Sequence, residues 1–300
     1  MSEEKKRRKR LGDRPDARAV KANGLQTVMC YLYPNRTENE VCAFDTVDIT
    51  DLLAYIEKEN AKHPEYKITV FHCFITAISR ILMERPYLNR FIQRWRMYER
   101  DEISLSFIAK RRFADGAEEA LIMLKPKEED TLDSIARRIV GDIKETRKSE
   151  HSTGGIDKTL DQFAAIPWPI LAPTIRFIRY MDFWGIVPKV FLEGNTNYST
   201  VLLSNLGSIK GPAVYHHLNN YGSNSILVTI GTIHDEEVLM PDGTKQIRKM
   251  LEFSAILDER IADGFYFTKS LRLIRHIFAN PELLERPLGE PSNFDYDAKA

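Results

Sequence analysis

Within residues 250–278, the spacing of the apolar residues changes from that of a strand to that of a helix across one short loop. This change constrains the fold more than any other feature of the chain. The segment Met250–Leu257 alternates apolar and polar positions, which predicts a strand, and Pro241–Gly243 predicts a hairpin turn just before it. After the charged loop Asp258–Gly264, apolar residues return at the spacing of one helix face, at Phe267, Leu271, Ile274 and Phe278. The sequence therefore predicts a strand, a loop and a helix in succession, with charged side chains concentrated in the loop.

Further segments predict an α/β chain with a mixed, largely buried sheet. Thr50 offers an N-cap for one helix and Thr131 for another. A third helix starts near Val70 and ends near Arg85, because Pro86 disfavours helical backbone in the residue before it. Short apolar or alternating runs predict strands at Ile103–Ala109, Leu121–Leu124, Val201–Leu203 and Ile226–Ile230.

Composition and cysteine content exclude several classes of protein. The 300 residues, 43% of them hydrophobic, suffice for a full core, and a net charge of zero gives no general electrostatic reason to bind nucleic acid. Cys30, Cys42 and Cys73 form no CxxC pair, so they are interpreted as free thiols, and the histidines have no companions at metal-ligand spacing. The chain has no long apolar run and begins with charged residues, so neither a membrane span nor a secretory signal is predicted. These features predict a cytoplasmic protein.

Residues 1–20 are predicted to form a disordered basic arm, and residues 21–300 a single domain. The arm contains the basic run Lys5–Arg10 and almost nothing to bury. Such a run can bind nucleic acid or an anionic membrane, but a solvated tail is the simpler interpretation. No repeat or low-complexity linker divides the rest of the chain.

Four motifs occur in the order and spacing of one known family. Asp263–Gly264 ends a loop in which that family carries His-x-x-x-Asp-Gly, and Ser204–Ile209 is similar to its Ser-Asn-Leu-Gly turn. Phe44–Thr50 resembles its first strand and helix, and Arg85–Asn89 resembles its Pro-x-Leu-Asn segment. The chain thus resembles the catalytic domain of the lipoate acyltransferases of 2-oxoacid dehydrogenase complexes, and their relative chloramphenicol acetyltransferase. The position of the family's histidine, however, holds Glu259.

The resemblance implies a fold, an assembly and a chemistry. The fold is that of chloramphenicol acetyltransferase, a mixed sheet flanked by helices, and the assembly is a homotrimer with its site between subunits. Coenzyme A is the co-substrate, and no metal takes part. Carried across by position, Ser204 donates to the oxyanion of the tetrahedral intermediate, a task worth about 3–4 kcal/mol for a well-placed donor. Asp263 holds the loop, Gly264 permits close backbone approach, and Glu259 occupies the position of the base.

The role of Glu259 is open between three hypotheses. A solvated glutamate has a pKa near 4.3 against about 8.5 for a thiol, so it is a poorly matched base unless burial raises its pKa. Glu259 is therefore either a working base of raised pKa or a vestigial residue in a salt bridge, with Arg260 as an available counter-ion. Alternatively, the base has moved to His216 or His217, which follow Ser204 in the chain. If this pair lies on a strand, at most one ring faces the cleft.

A segment of about residues 160–195 is longer than the corresponding link in the family. It contains several prolines and aromatic residues, with Arg176, Arg179 and Lys189 interleaved among them. A flap over the acyl pocket, a subunit contact and an interfacial membrane helix are all compatible with this composition. Packing against the domain is the favoured interpretation, because the prolines are expected to break any long helix.

The resemblance covers only the catalytic domain of the lipoate acyltransferases. The basic arm is neither a lipoyl domain nor a subunit-binding domain, which implies an acyl acceptor other than a tethered lipoate. One interpretation is therefore an acyltransferase that acts between coenzyme A and a small hydroxyl, amine or thiol. A second is a non-catalytic paralogue that serves as a trimeric scaffold or acyl-CoA-binding module. A third is an accessory subunit that borrows the histidine of an intact partner.

Overall fold

The computed structural model describes residues 14–62, 65–110, 119–148, 165–187, 192 and 194–297. Its helices are α1 (Gly24–Leu32), α2 (Thr50–Lys62), α3 (Val70–Glu84), α4 (Leu132–Lys148), α5 (Trp168–Trp184) and α6 (Gly264–Ala279). Its strands are β1 (Ala17–Ala19), β2 (Glu40–Asp48), β3 (Arg90–Gln93), β4 (Arg96–Arg100), β5 (Leu105–Lys110), β6 (Glu119–Leu124), β7 (Val201–Asn205), β8 (Ile226–Leu239) and β9 (Lys245–Asp258). The predicted helices after Thr50, before Pro86, after Thr131 and after Asp263 are all confirmed.

One mixed sheet organises the described chain. The strand order is β2–β9–β8–β7–β5–β6, with β7 parallel to both β5 and β8 and the other pairs antiparallel. Helices α2, α3, α4 and α6 cover one face, where Phe253 of β9 packs edge-on against Phe74 of α3, with a ring-centroid distance of 5.6 Å. This architecture confirms the predicted α/β fold, a mixed sheet flanked by helices.

The opposite face of this sheet is covered by the loop that follows β7. Leu218 of this loop packs against Leu227 and Ile256, with Leu202 beside them. Because side chains alternate along a strand, Ser204 lies on the same face as Leu202 and away from the helices. A loop rather than a helical layer therefore surrounds Ser204.

The strands β8 and β9 form a hairpin that is longer than the sequence predicted. The turn lies at Pro241–Gly243 as expected, and Gly243 has the left-handed φ of 83° that favours glycine there. The outer arms, beyond the irregularity between Ile230 and Ile233, are mostly exposed. The polar and charged residues of these arms do not alternate with apolar ones, so the sequence predicts only the buried parts of the two strands.

The prediction of a disordered arm over residues 1–20 is wrong for residues 14–19, which pack against the domain. Arg14 is buried and donates two hydrogen bonds to Asp16, at 2.7 and 2.8 Å. Ala17 is buried, and β1 pairs antiparallel with β4 in a second sheet of order β1–β4–β3. These residues are ordered by an ion pair and a backbone ladder, which composition does not reveal. The basic run Lys5–Arg10 lies outside the described residues.

The expectation that prolines prevent a long helix in the 160–195 segment is wrong. The helix α5 spans 17 residues, with Pro169 in its first turn, where a missing N–H costs nothing, and with Pro173 further inside. Trp168 is 79% exposed and Phe177 62%, and only Asp182 of α5 is buried. Most of this helix therefore does not pack against the described domain, which also corrects the favoured interpretation of the segment. None of the described helices combines the length and apolar composition that crossing a membrane requires.

Candidate functional site

The turn after Ser204 is pressed against strand β8. The backbone N–H of Leu206 donates to the carbonyl of Ile230 at 2.9 Å. A Cβ atom added at Gly207 would lie 2.0 Å from the carbonyl oxygen of Gly231, and one added at Gly231 would lie 2.3 Å from the backbone nitrogen of Ala213. Only glycine fits at these two positions, so the Ser-Asn-Leu-Gly turn fixes where the Ser204 hydroxyl stands.

Ser204 belongs to a row of three hydroxyl side chains across neighbouring strands. Ser204 pairs in register with Thr229, and Thr229 pairs with Ser254. In-register partners project from the same face of a sheet, so the three hydroxyls lie side by side. The Ser254 hydroxyl donates to the Val214 carbonyl at 2.7 Å, whereas the buried Thr229 Oγ1 has no hydrogen-bond partner among the described residues.

The hydroxyl row was missed by sequence reasoning. Its only signal is that Thr229 and Ser254 occupy positions in two apolar strands that a larger aliphatic residue would otherwise fill. Pairing of the strands, which the sequence does not give, is needed to align them with Ser204.

The loop that carries Glu259 is fixed by its two neighbours. Asp258 and Arg260 are fully buried and form a bidentate ion pair, with Nε–Oδ1 and Nη2–Oδ2 distances of 2.8 and 2.7 Å. Burial opposes the charge of Arg260, but the hydrogen bonds to Asp258 outweigh it and raise the pKa of the guanidinium. The Glu259 side chain is exposed, and its backbone N–H donates to the Asn39 carbonyl at 2.9 Å. The suggested Glu259–Arg260 salt bridge is therefore not formed.

Asp263 and Gly264 begin helix α6. The Asp263 carboxylate accepts a hydrogen bond from the Tyr266 backbone N–H at 2.7 Å, which makes it the N-cap. A Cβ atom added at Gly264 would meet no atom within 4 Å, so the close backbone approach expected at this glycine does not occur within the chain. Both residues are exposed.

Ser204 and Glu259 lie at opposite ends of the sheet in one chain. Ser204 is level with Ser254, and Glu259 follows Asp258 at the end of β9. Five residues of extended strand separate Ser254 from Glu259, about 17 Å at ~3.4 Å per residue. The structure therefore does not bring these two predicted site residues together within a single subunit.

His216 and His217 lie in the irregular loop between β7 and β8, so the argument from a strand does not apply to them, although only His217 is among the residues that line the neighbouring cleft. Their ring centroids are 5.1 Å apart. Nδ1 of His216 lies 2.9 Å from the carbonyl oxygen of His217, and Nδ1 of His217 lies 3.0 Å from that of Leu218. A carbonyl oxygen only accepts, so each Nδ1 is assigned the proton, and Nε2 of the neutral ring keeps the lone pair.

The histidine loop is tied to the Glu259 end of the sheet. The Glu40 carboxylate accepts hydrogen bonds from the Tyr215 hydroxyl and from the backbone N–H of Leu218, both at 2.5 Å. The hydrogen bond to Glu40 is the main cause that raises the pKa of Tyr215 to about 12. Because Val214 is bonded to Ser254 and Leu218 is tied through Glu40 to the level of Asp258, the histidines lie on the part of the loop that runs toward the end that carries Glu259.

An open cleft lies beside the histidine loop. Its volume is about 350 Å³, and His217, Asn219, Tyr221 and Arg179 of helix α5 are among the residues that line it. In the part of the chain that the structure describes, no group of three His, Cys, Asp or Glu side chains is arranged to hold a metal ion.

Comparisons with known proteins agree with this fold. Residues 193–285 match the family model of the 2-oxoacid dehydrogenases acyltransferase (catalytic domain). No curated protein matches the sequence. A probable dihydrolipoamide acetyltransferase from Listeria monocytogenes 4b F2365 has a TM-score of 0.57 at 17% identity, over 93% of this chain and 98% of that one.

Two further solved structures share the architecture. The dihydrolipoamide acetyltransferase of Azotobacter vinelandii has a TM-score of 0.59 at 15% identity, over 89% of this chain and 93% of that one. A chloramphenicol acetyltransferase has a TM-score of 0.54 at 10% identity, over 87% and 99% of the two chains. The family match over residues 193–285 and the shared fold confirm the resemblance that the motifs indicated: this part of the chain is similar to the 2-oxoacid dehydrogenase acyltransferase catalytic domain, and the described structure has the fold of the dihydrolipoamide acetyltransferases and chloramphenicol acetyltransferase.

Proposed function

We propose that the protein is a coenzyme A-dependent acyltransferase whose site forms between the subunits of a homotrimer. One observation carries the proposal: Ser204 and Glu259 stand at opposite ends of the same sheet, and the loop that carries His217 is tied at Leu218 to the Glu259 end. Residues so placed meet only if the Ser204 end of one subunit faces the Glu259 end of the next. The acceptor is a small hydroxyl, amine or thiol compound.

The transfer needs an oxyanion donor and a base. The acceptor's hydroxyl, amine or thiol attacks the thioester carbonyl carbon, the new bond to the acyl group forms, and the carbon–sulfur bond then breaks. The base takes the proton of the acceptor as it attacks, and the Ser204 hydroxyl donates to the oxyanion of the tetrahedral intermediate. The base then gives that proton to the departing thiolate of coenzyme A. In the Azotobacter enzyme a serine, a histidine and an asparagine have been investigated for roles in catalysis, which supports looking for a serine and a histidine here.

His217 is the better placed base. It lines the cleft, and its Nδ1 is held by the Leu218 carbonyl, which leaves Nε2 as the atom that can accept a proton. Glu259 is exposed in the chain, so the burial that the working-base hypothesis needs is not supplied by its own subunit. His216, whose ring lies beside that of His217, is the second candidate.

Thiol release from acetyl-CoA with a panel of small alcohols, amines and thiols tests the proposal. Ser204→Ala is expected to lower kcat/KM by about 10²–10³-fold, and His217→Gln by about 10²–10⁴-fold. Glu259→Gln is expected to have a small effect. Ser208→Ala, in the same turn, and His234→Gln, on the exposed hairpin, are matched controls. Turnover that survives substitution of Ser204, Glu259 and both loop histidines would rule out this mechanism.

A catalytically degenerate paralogue is the second candidate, because an exposed glutamate stands where the family has its histidine. Such a protein would act as a trimeric scaffold or an acyl-CoA-binding module. It would bind coenzyme A in a calorimeter but release no thiol with any acceptor. Glu259→His would then be expected to introduce turnover where the wild type has none.

A further inference from the structure

A small cavity lined by arginines lies under helix α5. Its volume is about 160 Å³, and it is bounded by α5, by the turn between β3 and β4, and by the segments 34–36 and 220–222. The basic residues that line it are Arg36, Arg94, Arg179 and Arg260, and the one acidic residue among the described lining is Asp182. The cavity is distinct from the histidine cleft, although Arg179 borders both.

Arg36 is a buried cation that forms no ion pair with a carboxylate of the described residues. The side chain is 5% exposed, and its guanidinium donates to the backbone carbonyls of Asn219, Ile92 and Gly222 at 3.1, 3.1 and 2.6 Å. Its Nε is buried and has no partner among the described residues. Burial lowers the pKa of Arg36 to about 10. The carbonyls and the more distant charges of Asp258 and Asp182 only partly offset the cost of burying the guanidinium, and an anion in the adjoining cavity would offset more of it.

The acidic groups nearby do not neutralise the cavity. Asp258 is committed to Arg260, and Asp182 accepts hydrogen bonds from the Tyr198 hydroxyl at 2.7 Å and from the Gly222 N–H at 3.1 Å. Arg94 lies over the ring of Trp184, and neither Arg94 nor Arg179 has a carboxylate partner among the described residues. Asp258 therefore neutralises Arg260, and the three remaining guanidinium groups, those of Arg36, Arg94 and Arg179, share the single carboxylate of Asp182 at the cavity.

The turn that presents Arg94 is strained. Gln93 pairs with Arg96, so Arg94 and Trp95 form a two-residue hairpin loop with φ values of 49° and 57°. Loops of this kind favour Asn-Gly, and a bulky residue with left-handed backbone is unfavourable unless its surroundings hold it there. Trp95 is held there by ring contacts to Tyr31 and Phe183, with centroid distances of 5.6 and 5.0 Å. This strained turn places the Arg94 guanidinium and the Trp95 ring at the cavity.

We propose that this cavity binds a phosphate or diphosphate group of a small molecule. Guanidinium groups match phosphate oxygens with paired hydrogen bonds, and the excess of positive charge favours a dianion over a single carboxylate. The volume is below the roughly 300–1,000 Å³ of sites that enclose a whole drug-sized ligand, so it suits one charged group. The bearer of that group is either coenzyme A, in which case the inference rests on the proposed function, or a separate phosphorylated compound.

Calorimetric titration with pyrophosphate at low salt tests the cavity itself. Arg94→Gln and Arg179→Gln are expected to weaken binding by about ten- to a hundredfold each, since each removes a charge-assisted contact. Arg176→Gln, on the same helix and also exposed but outside the cavity lining, is the matched control and should stay within about twofold. No binding of pyrophosphate at millimolar concentration, or an equal loss in the Arg176 variant, would overturn the proposal.

Competition identifies the bearer of the phosphate. If coenzyme A fills the cavity, pyrophosphate competes with it, and Arg94→Gln and Arg179→Gln weaken the binding of coenzyme A but not that of pantetheine, which lacks the phosphates. If pyrophosphate binds without competing, the ligand is a separate phosphorylated molecule and the cavity assignment stands. Pyrophosphate binding by a protein that releases no thiol would refute the proposed acyl transfer and leave the cavity assignment intact.

Discussion

Arg260 donates two hydrogen bonds to Asp258, and this pairing removes it as a partner for Glu259. The same guanidinium donates to the carbonyls of Tyr33 and Pro34 at 2.9 and 3.2 Å, which ties the loop to the segment after α1. The loop is thus fixed by both neighbours of Glu259, while Glu259 itself faces outward. Because Glu259 is exposed on a loop whose two neighbouring residues are fixed, it is better placed to contact another subunit than to act within its own.

Asp258→Asn is expected to lower the free energy of unfolding by about 3–5 kcal/mol, because it leaves the Arg260 charge buried without a counter-ion. Urea denaturation followed by circular dichroism, at one fixed protein concentration, measures the change. Glu259→Gln is the matched control, one residue along, and should stay within about 0.5 kcal/mol because the side chain is exposed. Equal losses in the two variants would contradict the account of the ion pair.

Gly207→Ala is expected to destabilise the protein by about 1–3 kcal/mol or more, because the added Cβ would collide with backbone at Gly231. The substitution should also reduce acyl transfer, since the displaced turn carries Ser204. Gly264→Ala is the control, because its Cβ meets open space at the start of α6. Thermal unfolding and the thiol-release assay together test this, and a Gly207→Ala protein of normal stability would refute the close packing.

Thr229→Val is expected to raise the free energy of unfolding by about 1 kcal/mol, because it replaces a buried hydroxyl that has no partner with a group of the same shape. Ser254→Ala should lower it by about 1 kcal/mol through loss of the hydrogen bond to the Val214 carbonyl. If the hydroxyl row borders the acyl group, the stabilised Thr229 variant should also lose turnover. A Thr229→Val protein that is less stable than the wild type, or a Ser254→Ala protein that is not destabilised, would show that the hydrogen-bond partners are misassigned.

His72 is expected to make the protein less stable in acid. Burial lowers its pKa to about 4, below the ordinary value of 6.5, so the unfolded chain binds the proton first as the pH falls. Stability is therefore lost between about pH 6.5 and 4, by up to about 3 kcal/mol. The difference in unfolding free energy between wild type and His72→Gln, measured from pH 7 to 4, isolates this contribution.

Elements with a clear hydrophobic period were predictable, and elements held by specific polar contacts were not. The strand before Asp258 and helix α6 follow from the change of period alone. The small sheet was missed because the chain around Arg94–Arg96 is charged and its two-residue turn lacks the usual Asn-Gly. Helix α1 did carry a signal, since Asn23 and Gln26 form a capping box, but its exposed apolar residues give no core-facing stripe.

The candidate site shows the same division. The Ser204 turn and the Asp263 cap follow from local motifs, so their places in the fold could be predicted. The Asp258–Arg260 pairing and the tie from Glu40 to the histidine loop depend on which strands lie side by side. Helix α5 is not evident from the sequence because proline usually breaks a helix. Pro169, however, lies in the first turn, where proline is tolerated.

The assignment of Ser204 and His217 to different subunits predicts complementation between two inactive proteins. Ser204→Ala and His217→Gln trimers, unfolded together and reassembled in equal amounts, should regain activity at about a quarter of their sites, because each site takes one residue from each neighbour. Wild type reassembled with the Ser204→Ala, His217→Gln double variant should also keep about a quarter of its sites, whereas sites contained in one chain would keep about half. Thiol release after reassembly gives the fraction, and light scattering gives the mass. A monomer at working concentration, or a mixture that stays inactive although both single variants fold and assemble, would refute the shared site.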